Sequence, residues 1–178
     1  MREDRQFPSS PESEAGILSG LMLDSEAINR VPDLVAEAFH NETHAAIFRA
    51  IQSLAVVGQP FDAVSVYTEL KNSGRPVDLI ELNEIAQYVP SAASIRRHAS
   101  VVMDAYRLRQ LMEAGSEIAD LALVPGSKAA EQIDKAQMML AKLATVKAKR
   151  DPKHIHESLT DYLQLLQDMS EGKNPAIP

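Results

Sequence analysis

The sequence predicts an all-α protein: an N-terminal globule of short helices, then a long antiparallel helical hairpin, then a C-terminal linker helix. Three observations carry that prediction. Alternating apolar and polar runs of the strand type are nearly absent, whereas apolar residues recur at helical spacing. The 10 prolines and 7 glycines fall at intervals that leave helical segments between them. Charge also changes sign in blocks: 6 basic against 14 acidic residues in 1–90, 10 against 6 in 91–150, and 2 against 5 in 151–178. These block limits are taken as the domain boundaries.

Within 1–90 each short helix has a local start and stop. Pro11 to Leu23 begins with Ser10 as N-cap, Pro11 at the first helical position and Glu12 and Glu14 in the first turn. Asp24 caps a short helix that ends before Pro32. Asn41 caps Glu42 to Val57, closed by Gly58, and Ile47, Phe48, Ile51, Leu54 and Ala55 share its inner face. Asp62 opens Ala63 to Ser73, closed by Gly74, with Val66, Tyr67 and Leu70 inward. Asp78 and Glu81 have the form of a capping box. They open a helix with Ile80, Leu82, Ile85 and Ala86 as its core candidates.

The 91–150 block reads differently. No proline interrupts Ser91 to Val124, which predicts one long helix. Pro125-Gly126-Ser127 breaks it, with Ser127 as the next N-cap, and a second long helix runs from Lys128 to about Lys149. Ala129, Ile133, Ala136, Leu140 and Leu143 repeat at a 4-3-4-3 spacing, the seam of a hairpin. Two long helices joined by so short a turn must fold back on each other. Their apolar residues exceed what one seam needs, Val101, Val102, Leu108, Leu111, Met112, Ile118, Met138 and Met139 among them. The surplus predicts a second copy of the hairpin as partner, with Val101, Leu108, Leu111, Ile133, Leu140 and Leu143 as interface candidates. In 151–178, Ile155, Leu159, Leu163 and Leu166 form the apolar side of an amphipathic helix with no evident partner in this chain.

Composition narrows the function classes. The net charge of −7 argues weakly against general nucleic-acid binding, and the absence of cysteine excludes thiolate chemistry and Cys-ligated zinc. No apolar run approaches a membrane span of about 20 residues, and the charged amino end is unlike a signal peptide. A cytoplasmic protein without membrane partners is expected. The glycines never form a phosphate-binding G-x-x-x-x-G-K-S/T, so no nucleotide cofactor is expected on this chain. Nor does any residue pattern single out a catalytic or metal site. His40 and His44 lie four apart but straddle a helix start, so a hydrogen-bonded histidine at a polar helix entrance is the better reading. The hairpin's basic residues have only Tyr106 as an aromatic companion, which favours a solvated face or an acidic protein partner over nucleic acid.

The order of segments is similar to a known family. Pro11-Glu-Ser-Glu14 with Ile17-Leu-Ser-Gly20-Leu-Met-Leu-Asp24 resembles the S-x-E-A-E-x-x-x-L-G-x-x-L-L-D that opens DnaB-type hexameric replicative helicases. Ala38-Phe39 and His44-Ala-Ala-Ile47-Phe48 resemble the family's D-F-Y/F and H-x-x-I-F. Gly58-Gln-Pro60-Phe-Asp62 resembles its G-x-P-I/V-D. Tyr88-Val-Pro90-Ser-Ala-Ala93-Ser-Ile95, continued by Ala99-Ser-Val-Val102, is similar to its T-P-S/T-A-A-N-I/V-x-x-Y-A-x-I/L-V, the most specific stretch. The chain departs from the pattern at Val77-Asp-Leu-Ile-Glu81-Leu82, where Glu81 stands at a position often aromatic.

The resemblance implies an N-terminal collar and linker of a replicative helicase. In that family hairpins pair, and six subunits form a trimer of dimers that docks primase. The linker helix packs on the neighbouring motor, so Ile155, Leu159, Leu163 and Leu166 would do so here. Glu12, Met112 and Ile118 are the primase-interface candidates, and a helicase loader is a further partner. ATP, magnesium and most DNA contact would belong to an ATPase domain beyond Pro178, not to this chain. The alternative is a free-standing helical adaptor, like the helicase-binding domain of primase.

Overall fold

Helix α1 (Pro11–Leu23) lies at the heart of the amino-terminal part, with eight of its 13 residues buried. Such a helix has no solvated stripe. Ile17, Leu18 and Leu21 are fully enclosed, each contributing about 1.5–3 kcal/mol by burial. The small residues Gly16, Ser19 and Gly20 share one side of α1, and Ser19 Oγ donates to the Ala86 carbonyl at 3.3 Å.

The molecule is described by a computed structural model, which places residues 7–75, 77–88 and 94–148, with side chains to 144. Among the described residues there are helices and turns and no strand. Short 3-10 segments at Ser25–Arg30 and Ala36–Ala38 lead to α2 (Glu42–Val56), α3 (Ala63–Asn72) and α4 (Leu79–Gln87). Two long helices follow, α5 (Ile95–Leu121) and α6 (Ala129–Ala148). α2 and α4 pack on α1, and α3 packs on both α2 and α4.

Local chemistry sets the ends. Asp24, Asn41, Asp62 and Asp78 each accept backbone N–H groups from the turn that follows. Ser10 instead donates to Ser13 Oγ at 2.9 Å, so Pro11, which has no N–H to satisfy, opens α1 without a side-chain cap. α2 and α3 stop alike. The N–H of Gln59 reaches Leu54 O and that of Arg75 reaches Leu70 O, across Gly58 (φ 67°) and Gly74 (φ 70°). That 6→1 closure needs a left-handed residue, which glycine supplies without a Cβ clash.

Two compact units are present, Met1–Glu113 and Ala114–Pro178, and the division falls within α5. In the first, Ile95, Ala99, Val102 and Met103 of α5 join the core formed by α1, α2 and α4. Val102 is therefore not part of the apolar surplus predicted for the hairpin. Ile80 is another correction. It is 68% exposed, while Leu82 and Ile85 go inward. Leu79, Ile80 and Leu82 crowd the start of α4, and a nine-residue helix has only one buried side.

In the second unit, Val124-Pro125-Gly126-Ser127 turns the chain, with Ser127 N–H directed to Val124 O at 3.4 Å and Gly126 at φ 74°. Proline and a left-handed glycine at the two central positions are what a type II turn requires. Ser127 is not the cap predicted for α6. Its hydroxyl closes the turn by donating to Val124 O at 2.8 Å, and the Lys128 carbonyl accepts the first helical bond, from Gln132. The seam of the hairpin is also shifted. On α6 the better-covered positions are Gln132, Ala136, Met139 and Leu143: Ala136 and Leu143 keep their predicted places, while Gln132 and Met139 replace Ile133 and Leu140, beside Ile118 and Leu121 of α5.

Candidate partner-docking site

On the part of α5 that belongs to the first unit, the side opposite Ile95, Ala99 and Val102 carries Val101, Leu108 and Leu111, which are 41%, 51% and 50% exposed. At 100° per residue these three share one stripe. A helix already buried on one side ordinarily shows charge on the other. Here three large apolar side chains face solvent instead.

In the second unit the rotated seam has a consequence. Ile133 and Leu140, 57% and 45% exposed, stand outside the hairpin contact. Beside them, Ile118, Leu121 and Ala122 of α5 and Ala129, Ile133 and Ala136 of α6 line an open groove of ≈ 400 Å³. Leu143, half-covered, belongs to the seam. Of the primase-interface candidates, Glu12 is exposed in the first turn of α1 and Met112 is half-buried. Ile118 lines the groove. Met112 and Ile118 belong to different compact units. Ile155, Leu159, Leu163 and Leu166 lie outside the described residues.

A polar cluster that sequence reasoning did not single out braces the first unit. Glu14, 1% exposed at its side chain, accepts from His44 Nδ1 at 2.8 Å and from the backbone N–H groups of His40 (2.7 Å) and Asn41 (3.3 Å). An ionised carboxylate only accepts, so Nδ1 carries the hydrogen. Burial pushes the Glu14 carboxyl up, but the His44 ring and the two backbone donors together hold it below the ordinary glutamate value. The expectation of a hydrogen-bonded histidine at the α2 entrance holds for His44. From the other side, Arg109 donates to Pro8 O at 2.8 Å and Ala38 O at 2.6 Å, with its guanidinium 5.7 Å from the centre of the Tyr106 ring. The segment 38–41 is thus tied to α1 and to α5.

These contacts also engage some of the basic residues weighed for nucleic acid. Arg109 is used internally, Arg107 pairs with Asp104 at 3.2 Å, and Lys128 meets Glu131 at 3.7 Å. A shallow cleft of ≈ 570 Å³ near the α2 start sets Arg49 and Arg75 among Glu37 and Glu42, so it has no dominant charge. Among the described residues no cluster of metal-binding type occurs, and no helix is long and apolar enough to cross a membrane. What the arrangement offers is apolar surface for protein contact.

Comparison with known proteins agrees in kind. The family model described as DnaB-like helicase N terminal domain matches residues 6–104. The replicative DNA helicase DnaB of Nostoc sp. (strain PCC 7120 / SAG 25.82 / UTEX 2576) is 31% identical over 180 residues, 98% of this chain and 20% of the relative. That of Synechocystis sp. (strain ATCC 27184 / PCC 6803 / Kazusa) is 33% identical over 140 residues, 76% of this chain and 16% of the relative. The chain therefore spans about a fifth of the curated relatives it matches. Among solved structures, the N-terminal domain of DnaB helicase from Mycobacterium tuberculosis superposes with a TM-score of 0.71 at 31% identity, covering 77% of this chain and 99% of that one. A DnaB-like replicative helicase, solved with a description of its interactions with primase, has a TM-score of 0.65 at 18% identity and shares the fold, over 87% of this chain and 35% of that one.

Proposed function

Because the chain belongs to the family of DnaB-like helicase N-terminal domains, we propose that it is the collar of a replicative helicase and acts by self-association and by docking primase. The observation that carries this reading is the row Val101, Leu108 and Leu111, exposed on the side of α5 opposite the globule core. Burying such a row against protein is favourable by roughly 25 cal/mol per Å² of apolar area. Unwinding, ATP and magnesium enter only with a motor segment of a longer protein, since this sequence has no glycine-rich phosphate loop. Self-association through paired hairpins, with the hexamer as a trimer of dimers, is the assembly proposed.

Size-exclusion chromatography with light scattering on the 178-residue chain tests it. Dimers or larger species are expected at micromolar concentration, and Leu108→Glu with Leu111→Glu should shift them to monomer. A strict monomer at high micromolar concentration contradicts the reading. For primase, Glu12, Met112 and Ile118 are the proposed contacts, and primase binding unchanged after substituting all three removes them.

A further inference from the structure

We infer that Arg109 is a positioning residue for the exposed row of α5: it fixes the direction in which the helix carries Leu108 and Leu111 away from the globule core. The inference rests on the self-association reading and names a residue that sets its geometry without taking part in the contact. The last α5 residue in the globule core is Met103. Leu111 comes eight residues later, about 12 Å further along the helix axis. Over that stretch Tyr106 packs half-buried against the core, and Arg107 turns to Asp104 on its own helix. Arg109 continues the stripe of Ile95, Ala99, Val102 and Tyr106, since each residue advances about 100°. Leu108 and Leu111 stand about 100° and 160° around the helix from it. It reaches the globule while they face solvent.

The contact is a fork. One terminal nitrogen of the guanidinium donates to Pro8 O at 2.8 Å and the other to Ala38 O at 2.6 Å. These two carbonyls lie 30 residues apart in the chain, one just before α1 and one shortly before α2. A rigid planar guanidinium spans two such acceptors, whereas a lysine ammonium is a compact point charge. The backbone donors that follow Ala38 are drawn the other way, because the N–H groups of His40 and Asn41 go to Glu14. The segment 38–41 is therefore held through its donors by an anion on α1 and through an acceptor by a cation on α5, and charge-assisted bonds of this kind are the stronger ones. A single ring contact at Tyr106 leaves α5 a pivot. Two directional bonds one turn further on remove it, and with it the freedom of the row to swing relative to the globule.

The chain contains no cysteine, so paired cysteines report this geometry directly. Ser53 on α2 and Glu113 on α5 are exposed and belong to the same compact unit. Ser53→Cys with Glu113→Cys, spin-labelled and diluted into unlabelled chain, gives the distance between the two helices within one chain. Arg109→Met keeps a long side chain and removes the fork. With Leu108 and Leu111 intact and well below the melting temperature, it should broaden that distance distribution and raise the dimer dissociation constant about tenfold. Arg107→Met should change neither. If Arg109→Met does not fold, Arg109→Lys, which keeps the charge and loses the fork, carries the same two expectations. A weaker dimer at an unchanged distance, a broadened distance with an unchanged dimer, or a lower melting temperature with both readouts unchanged overturns the positioning role and leaves self-association standing. A wild-type chain that is a strict monomer at high micromolar concentration overturns both.

Discussion

Glu14 shows what a single residue can hide. In the sequence it is one more acid in the first turn of a helix; in the structure three donors converge on it. Since its carboxyl is held below the ordinary glutamate value, it stabilises the fold fully above about pH 4.3. That contribution is lost as pH falls through the depressed native value. Glu14→Gln keeps the shape and removes the charge. It is expected to cost about 2–3 kcal/mol near neutral pH and to flatten the acid limb of stability, both readable from urea unfolding between pH 3 and 7. Unchanged unfolding would mean that the cluster contributes little. Glu14 and His44 both stand in the stretches that carry the family resemblance, but nothing in the sequence says that they meet, because the burial of Glu14 is decided by residues 26 and 30 positions away. Arg109 was illegible for the same reason, whereas Asp24, Asn41, Asp62 and Asp78 could be read because a cap bonds within its own turn.

At the scale of the element, α4 separates what periodicity fixes from what it leaves open. Asp78 gave the start, but three of the residues from 79 to 82 are apolar, and the helix could have buried Ile80 instead of Leu82. Leu82→Ala should cost about 2–4 kcal/mol and Ile80→Ala no more than about 0.5 kcal/mol, measured by thermal or urea denaturation. The reverse order would contradict the packing of α4 on α1. α6 carries the same lesson. Its 4-3-4-3 series is real, but spacing alone does not say which of two adjacent sides meets the hairpin partner. Gln132, a polar residue, belongs to the covered set and Ile133 does not, and no rule based on hydrophobicity would place them so. The exposed remainder became the candidate docking surface.

For the whole molecule, composition and segment order revealed the helical class and the family resemblance. The relation of α5 to the globule was not visible there, because a long uninterrupted helix gives no sign of where its first partner ends. Ile95, Ala99, Val102 and Met103 complete a core whose other members precede residue 90. A fragment of residues 1–90 is therefore expected to lose cooperative thermal unfolding. One ending at residue 122 should keep it, with circular dichroism melts as the measure. Equal cooperativity in the two fragments would show that α5 is dispensable to the core.

That dependence also orders events on the ribosome. The four short α-helices emerge first, with apolar surface open where α5 will lie, and they cannot close until residues 95–103 have followed. The two hydrogen bonds of Arg109 come later still. At about 5–20 residues per second, the nascent globule waits on the order of one to a few seconds between the end of α4 and its brace. During that interval its unfinished core, more than any exposed row of the finished fold, is the surface a chaperone would meet.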